Sequence, residues 1–289
     1  MLNSIVLTGG AHGNETSGIE LIRQWQQSGL PARFNGLNVR CALVNEKAID
    51  ANVRFLDEDL NRQFTPERLA TDNPAQEALL AKKLNEEFGP KGPSSATDFF
   101  VDVHNTTSQM GATLIILEHD EFNIALARFV KQAMPEANIL IEDEKTFASH
   151  GYLCTLGKKG VMIEVGGQPQ GVLREDIYLL TEKMAEAILD FCLAWNEEQA
   201  LSRLPPCEAF RLGKEVSFPL DEKGQRKAMI HHQLQDRDFK PLAQGAPAFT
   251  GFDGTIYHWE EDTTYPHFIN EAAYHKLHVA FATASRITL

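Results

Sequence analysis

His12 and Glu15 stand three positions apart in "LTGGAHGNETSG", and His104 and Glu164 close or occupy two later apolar runs, "DFFVDVH" and "VMIEVGG". Imidazoles and carboxylates are ordinary zinc ligands. Two histidines and one glutamate form a known catalytic set, because three protein ligands leave a fourth position open. Taken singly, each residue has a plainer use. The glycines around His12 make a tight turn, His104 suits a hydrogen-bonded core histidine, and Glu164 suits a buried ion pair. Taken together, as H-x-x-E followed by a distant His, they favour one bound Zn2+. Glu164 adds weight, since a carboxylate in an apolar strand is costly to bury without a partner.

A second polar cluster, "RFLDEDLNR", carries Arg54, Asn61 and Arg62 with Asp57, Glu58 and Asp59 between them. It reads either as a solvated charged loop or as an anion clamp, because arginine forks grip carboxylates at two points.

Such residues need rigid supports. "SIVLTGG", "LNVRCALVN", "DFFVDVHN", "ATLIILEHD", "NILIED" and "GVMIEVGG" have the β-branched, apolar character of strands. "NETSGIELIRQWQQSG", "NPAQEALLAKKLNEEFG", "EFNIALARFVKQAM" and "EDIYLLTEKMAEAILDFCLAWNEE" have the spacing of amphipathic helices. Residues 52–64 fit neither and are expected to form a functional loop. The alternation predicts an α/β sheet with helices on both faces, and in such sheets sites form at the carboxyl ends of strands. The prolines of "LSRLPPCEAF" suggest a boundary, dividing a catalytic α/β domain, 1–203, from a β-rich domain, 204–289. "EAFRLGKEV", "QRKAMIHHQL" and "APAFTGFDGTIYHW" supply short strands to the latter, with a turn at "FDGT".

A net charge of -13 argues against a nucleic-acid surface, which needs a basic face. The four cysteines show no CxxC spacing, so reduced thiols and a cytoplasmic protein are expected. The N-terminus reads as a strand and not a signal peptide. No run approaches the ~18 apolar residues of a membrane span.

The blocks "GGAHGNE", "DEDLNR", "DVHNTTSQMGATLI", "IEVGGQPQGVLR", "LQDRDFKPL" and "NEAAY" occur in an order and spacing that resemble the aspartoacylase family, which is zinc-carboxypeptidase-like. The resemblance covers nearly the whole chain. It implies a mixed sheet flanked by helices, with a C-terminal domain capping the site, and a homodimer. It implies hydrolysis of an N-acyl, foremost N-acetyl, L-amino acid to acetate and the free amino acid. His12, Glu15 and His104 would bind one Zn2+ per subunit, with Glu164 as general base and Arg54 polarising the acyl carbonyl. Asn61 and Arg62 would hold the substrate's α-carboxylate, and Tyr274 would reach in from the C-terminal domain. Asp59 and Asp102 are candidates for orienting the arginines or a zinc histidine.

One departure bears on the substrate. Aspartoacylases carry an arginine about ten positions before the "IEVG" glutamate, and Cys154 stands there in this chain. His150 aligns with the tyrosine that precedes that arginine, and Tyr152 could serve if the loop shifts. Lys158, Lys159 or Lys276 would have to replace the arginine if the substrate is N-acetylaspartate. Otherwise a neutral or aromatic side chain, as in aminoacylase-3, fits better. The rival readings are a zinc carboxypeptidase on short peptides and a non-catalytic zinc-stabilised binding protein.

Overall fold

A computed structural model describes residues 1–199 and 201–289. β1 (Ile5–Gly9) leads into α1 (Thr16–Ser28), and β2 (Val39–Leu43) into α2 (Glu46–Ala51), α3 (Pro66–Ala70) and α4 (Gln76–Phe88). β3 (Phe99–Asn105), β4 (Gly111–Ile116), α5 (Glu121–Ala133), β5 (Asn138–Ile141), β6 (Lys159–Gly166) and α6 (Glu175–Asn196) follow. The remainder holds β7 (Glu208–Ser217), β8 (Ala228–Ile230), β9 (Pro247–Gly251), β10 (Ile256–His258) and β11 (Val279–Thr288). Among the described residues no helix is long and apolar enough to cross a membrane.

The large sheet is mixed, in the order β11-β7-β5-β4-β6-β3-β1-β2. β2, β1, β3 and β6 run parallel, and β4 meets β6 antiparallel. Its inner strands β1, β3, β4, β5 and β6 are buried on both faces, so they read as nearly continuous apolar runs. The period of two then sorts their side chains. Ile5, Leu7, Phe99, Val101, Val103, Val161, Ile163 and Val165 pack toward α1, α5 and α6. Val6, Phe100 and Met162 enter the opposite core with Leu60, Phe64 and Phe268. Thr8, Asp102, His104 and Glu164 share the parity of this second set and therefore emerge on its face.

Residues beyond 204 are β-rich, as expected, and part of them extends the large sheet. β7 and β11 pair with each other at the edge of the large sheet, and β7 pairs with β5. Only β8, β9 and β10 form a small sheet, over a core of Phe218, Phe249, Trp259 and Phe281. β11 was not anticipated, because its alternating Ala280, Ala282 and Ala284 give a weak apolar signal even though all three are buried. Of "QRKAMIHHQL", only Ala228–Ile230 is strand.

The 52–64 stretch is a loop containing one 3-10 turn, Leu60–Arg62. A buried carboxylate shapes it. Glu77, on α4, accepts the backbone N–H groups of Leu56 at 2.7 Å, Asp57 at 3.0 Å and Glu58 at 3.1 Å.

Candidate active site

The turn between β1 and α1 is compact because α2 lies directly on it. A Cβ at Gly13 would sit 2.0 Å from the carbonyl carbon of Ala48, so only glycine fits. Gly10, at φ +79, takes a left-handed conformation that L side chains rarely adopt. The start of α1 is fixed to the end of β3, since Ser17 donates N–H and Oγ–H to Asn105 Oδ1 at 3.2 and 3.0 Å. His12 and Glu15 are thereby held beside His104.

The three side chains converge. His12 Nδ1 lies 2.8 Å from Glu15 Oε1, and His104 Nδ1 lies 2.7 Å from Glu15 Oε2. All three residues are buried, with a donor atom from each within 4.8 Å of the others. The far nitrogens face carboxylates: His12 Nε2 is 2.9 Å from Asp59 Oδ1, and His104 Nε2 is 2.8 Å from Asp102 Oδ2. Thr8 Oγ1 donates to the other oxygen of Asp102 at 2.7 Å. An imidazole that donates Nε2–H to a carboxylate turns a lone pair at Nδ1 inward. Two such lone pairs facing one carboxylate call for a cation between them. Carboxylate-backed histidines are the usual support of a metal ligand. The donor set therefore fits a zinc ion. Burial alone would raise the Glu15 carboxyl, but His12 and His104 outweigh it and hold it far below the usual range.

Glu164 stands next to this cluster. His104 and Glu164 are register partners on β3 and β6. Burial pushes the Glu164 carboxyl up to about 8, with His104 and Arg54 opposing and Glu15 and Glu271 adding to the rise. Its Oε2 has no hydrogen-bond partner among the described residues.

Arg54 donates from Nη1 to Glu15 Oε1 at 3.0 Å and from Nη2 to Asp59 Oδ2 at 3.2 Å. Arg62 is different. It donates to the Asn61 carbonyl at 2.8 Å and has no carboxylate within ion-pair range among the described residues, although its side chain is exposed. Asn61 is buried: its Oδ1 accepts Leu153 N–H at 2.7 Å, and its Nδ2 lies 3.2 Å from His104 Nε2.

Residues of the C-terminal segment line the cleft beside this cluster. Glu15, Arg54, Asn105, Glu164, Phe268 and Tyr274 line a narrow cleft of about 20 Å³ together with Thr106, Glu271 and Ala273. Glu271, which the sequence reading passed over within "NEAAY", fastens this segment. It accepts Thr107 N–H and Oγ1–H, both at 2.9 Å, and a hydrogen bond from Thr106 Oγ1.

The loop before β6 does not present its residues as counting back from Glu164 implies. His150 is wholly buried, with neither ring nitrogen hydrogen-bonded among the described residues, and its ring stacks 5.2 Å from that of Tyr152. Burial pushes it down to about 4, with Lys145 assisting. Cys154 is also wholly buried, in the core with Phe100 and Met162. Tyr152 is the residue that meets Arg62, whose guanidinium lies 5.3 Å from its ring centroid. The Tyr152 hydroxyl donates to Glu142 Oε2 at 3.0 Å. Glu142 is a buried carboxyl raised to about 7 by burial, against the pull of Tyr152, and it too was missed, because "NILIED" reads only as a strand end. Lys158 is paired with Asp98 at 2.7 Å, and Lys159 with Glu118 at 3.3 Å and with Asp120. Lys159 precedes Glu164 by five residues on one strand, roughly 16 Å at the usual rise. Lys276 is exposed.

Comparison with known proteins shows the family of the chain. Residues 1–192 match the succinylglutamate desuccinylase/aspartoacylase catalytic domain, and residues 205–286 match the AstE/AspA barrel-sandwich hybrid domain. The chain is 39% identical to aspartoacylase of Danio rerio, over 98% of this chain and 91% of that protein. It is 38% identical to the human N-acyl-aromatic-L-amino acid amidohydrolase (carboxylate-forming), over 99% and 92%. The crystal structure of murine aminoacylase 3 superposes with a TM-score of 0.90 at 35% identity, covering 100% of this chain and 96% of that one. With matching catalytic and hybrid domains and full-length relatives, the chain belongs to the succinylglutamate desuccinylase/aspartoacylase family.

Proposed function

We propose that this enzyme hydrolyses the amide bond of an N-acetyl L-amino acid, using one Zn2+ per subunit held by His12, Glu15 and His104. The observation that carries the reading is the convergence of these carboxylate-backed ligands beside Glu164 and the two arginines. When bound, the ion supplies a Lewis acid and lowers the pKa of water.

The chain's own residues divide the remaining work. Glu164 takes the proton of the attacking water and passes it to the departing amine, as a positioned carboxylate can. Arg54 uses three of its five N–H groups on Glu15 and Asp59, leaving two to meet the acyl oxygen as negative charge develops there. Arg62, exposed and without an ion-pair partner among the described residues, holds the α-carboxylate, with Asn61 behind it. Tyr274 closes over the bound substrate.

The side chain of the amino acid is neutral or aromatic. Cys154 is uncharged and buried, Lys158 and Lys159 are committed to pairs at the far end of β6, and Tyr152 with Glu142 occupies the wall beside Arg62. A carboxypeptidase reading fits less well, because Phe268, Glu271 and Tyr274 roof the cleft and leave little room for a longer peptide. A non-catalytic binding role leaves Glu164 and Arg54 without a task. The free thiols of all four cysteines are consistent with a cytoplasmic protein, and a homodimer remains the form proposed from the family resemblance.

A panel of N-acetyl amino acids with acidic, neutral and aromatic side chains, assayed with and without a chelator, tests the reading. Chelator-sensitive turnover of neutral or aromatic substrates is expected. A thousandfold preference for N-acetylaspartate would overturn the side-chain assignment, and cleavage of tripeptides would favour the carboxypeptidase.

A further inference from the structure

Lys91 follows α4 and touches no ligand or catalytic group, yet all three of its N–H bonds are used. Its Nζ donates to the carbonyl of Phe64 at 2.7 Å, the carbonyl of His150 at 2.7 Å and Thr155 Oγ1 at 2.6 Å. No carboxylate lies within ion-pair range among the described residues. A half-buried ammonium without a counter-ion is unfavourable unless polar groups replace its water, and here two backbone carbonyls and a hydroxyl do so. Its own backbone is fixed in turn, because Lys91 N–H donates to Asn85 Oδ1 on α4 at 2.8 Å.

The groups it joins belong to two loops, one carrying Asn61 and Arg62 and the other Tyr152. Phe64 lies two residues beyond Arg62, and His150 two residues before Tyr152. The loops also meet directly. Phe64 N–H donates to the Gly151 carbonyl at 3.2 Å, and a Cβ at Gly151 would come within 2.9 Å of the Arg62 carbonyl oxygen. Leu153 N–H binds the Asn61 side chain.

We propose that Lys91 is a positioning residue for substrate binding: its ammonium clamps the 60–64 and 150–155 loops together and so fixes Arg62 against Tyr152. The inference rests on the reading that Arg62 receives the substrate α-carboxylate. It extends that site to a residue with no substrate contact of its own.

The test uses the full-length, zinc-loaded enzyme with an N-acetyl amino acid that the wild type hydrolyses. Lys91→Met should raise KM about tenfold and leave kcat within about threefold, the signature of lost uniform binding. Product inhibition separates this from general damage. The free amino acid, which carries the α-carboxylate, should inhibit about tenfold more weakly, while inhibition by acetate stays unchanged. Lys91→Arg, which keeps charge and donors, should recover part of the loss. Thr155→Val, which removes one acceptor, should raise KM about twofold to threefold and serves if Lys91→Met does not fold. Unchanged KM in these variants, or equal weakening of both products, overturns the inference. No wild-type turnover on any N-acyl amino acid overturns the reading of the site and this inference with it.

Discussion

His104 and Glu164 are direct register partners on the parallel strands β3 and β6, so their side chains leave the sheet on the same face. Asp102, two residues before His104, shares that face and meets His104 Nε2 at 2.8 Å. One strand pair thus supplies a candidate metal ligand, its carboxylate support and the candidate base. The alternate residues, Val103, Ile163 and Val165, fill the core on the other side.

Asp102→Asn should weaken zinc binding by about 10–100-fold, because an amide no longer stabilises the Nε2–H form of His104 as a carboxylate does. Competition with a chelator measures this. Unchanged affinity would mean that Asp102 supports the fold alone.

Glu164→Gln should bind zinc with full stoichiometry and lose about 10²–10⁴-fold in kcat, the usual contribution of a positioned general base. Metal analysis and steady-state kinetics on one preparation decide it. Wild-type turnover in this variant would remove Glu164 from the chemistry.

Glu77 should make stability fall in acid. Burial raises its carboxyl, but the N–H groups of Leu56, Glu58 and Asp57 and the Asn45 amide outweigh it, leaving it below its ordinary value. A depressed folded-state pKa contributes stability that is complete above the unfolded value, about 4.3, and drains as pH falls through the folded one. Glu77→Gln turns an NH₂ group toward buried donors, at a cost of about 1–3 kcal/mol. Its melting temperature at pH 7 should drop by several degrees, and the gap to wild type should narrow below about pH 4. A gap that is constant across pH would show that the charge is not what holds the loop.

Restoring the family arginine by Cys154→Arg should not create a preference for N-acetylaspartate. Residue 154 is wholly buried against Phe100 and Met162. A guanidinium there is overpacked and unpaired, so a loss of several kcal/mol is expected. Thermal melts and N-acetylaspartate assays check this. A stable variant with raised aspartate activity would mean that the loop turns residue 154 into the cleft.

The sequence by itself determined what local chemistry and periodicity can carry. Strand and helix alternation was legible because apolar spacing is read within one element. His12 and Glu15 were legible as a pair because three residues of a glycine turn bring them together without help from elsewhere. The resemblance placed Arg54, Arg62 and Tyr274 near the same site. Tertiary structure decided the relationships that depend on pairing across long separations. His104 and Glu164 meet only because β3 pairs with β6 in that register, and His12 finds Asp59 only because Glu77 folds the intervening loop. Packing also chose which residue of 150–154 faces Arg62. Gly151 presses on the Arg62 backbone, His150 and Cys154 turn inward, and Tyr152 is left against Arg62. Counting residues back from Glu164 cannot find that outcome, since a loop has no period to fix where its side chains point.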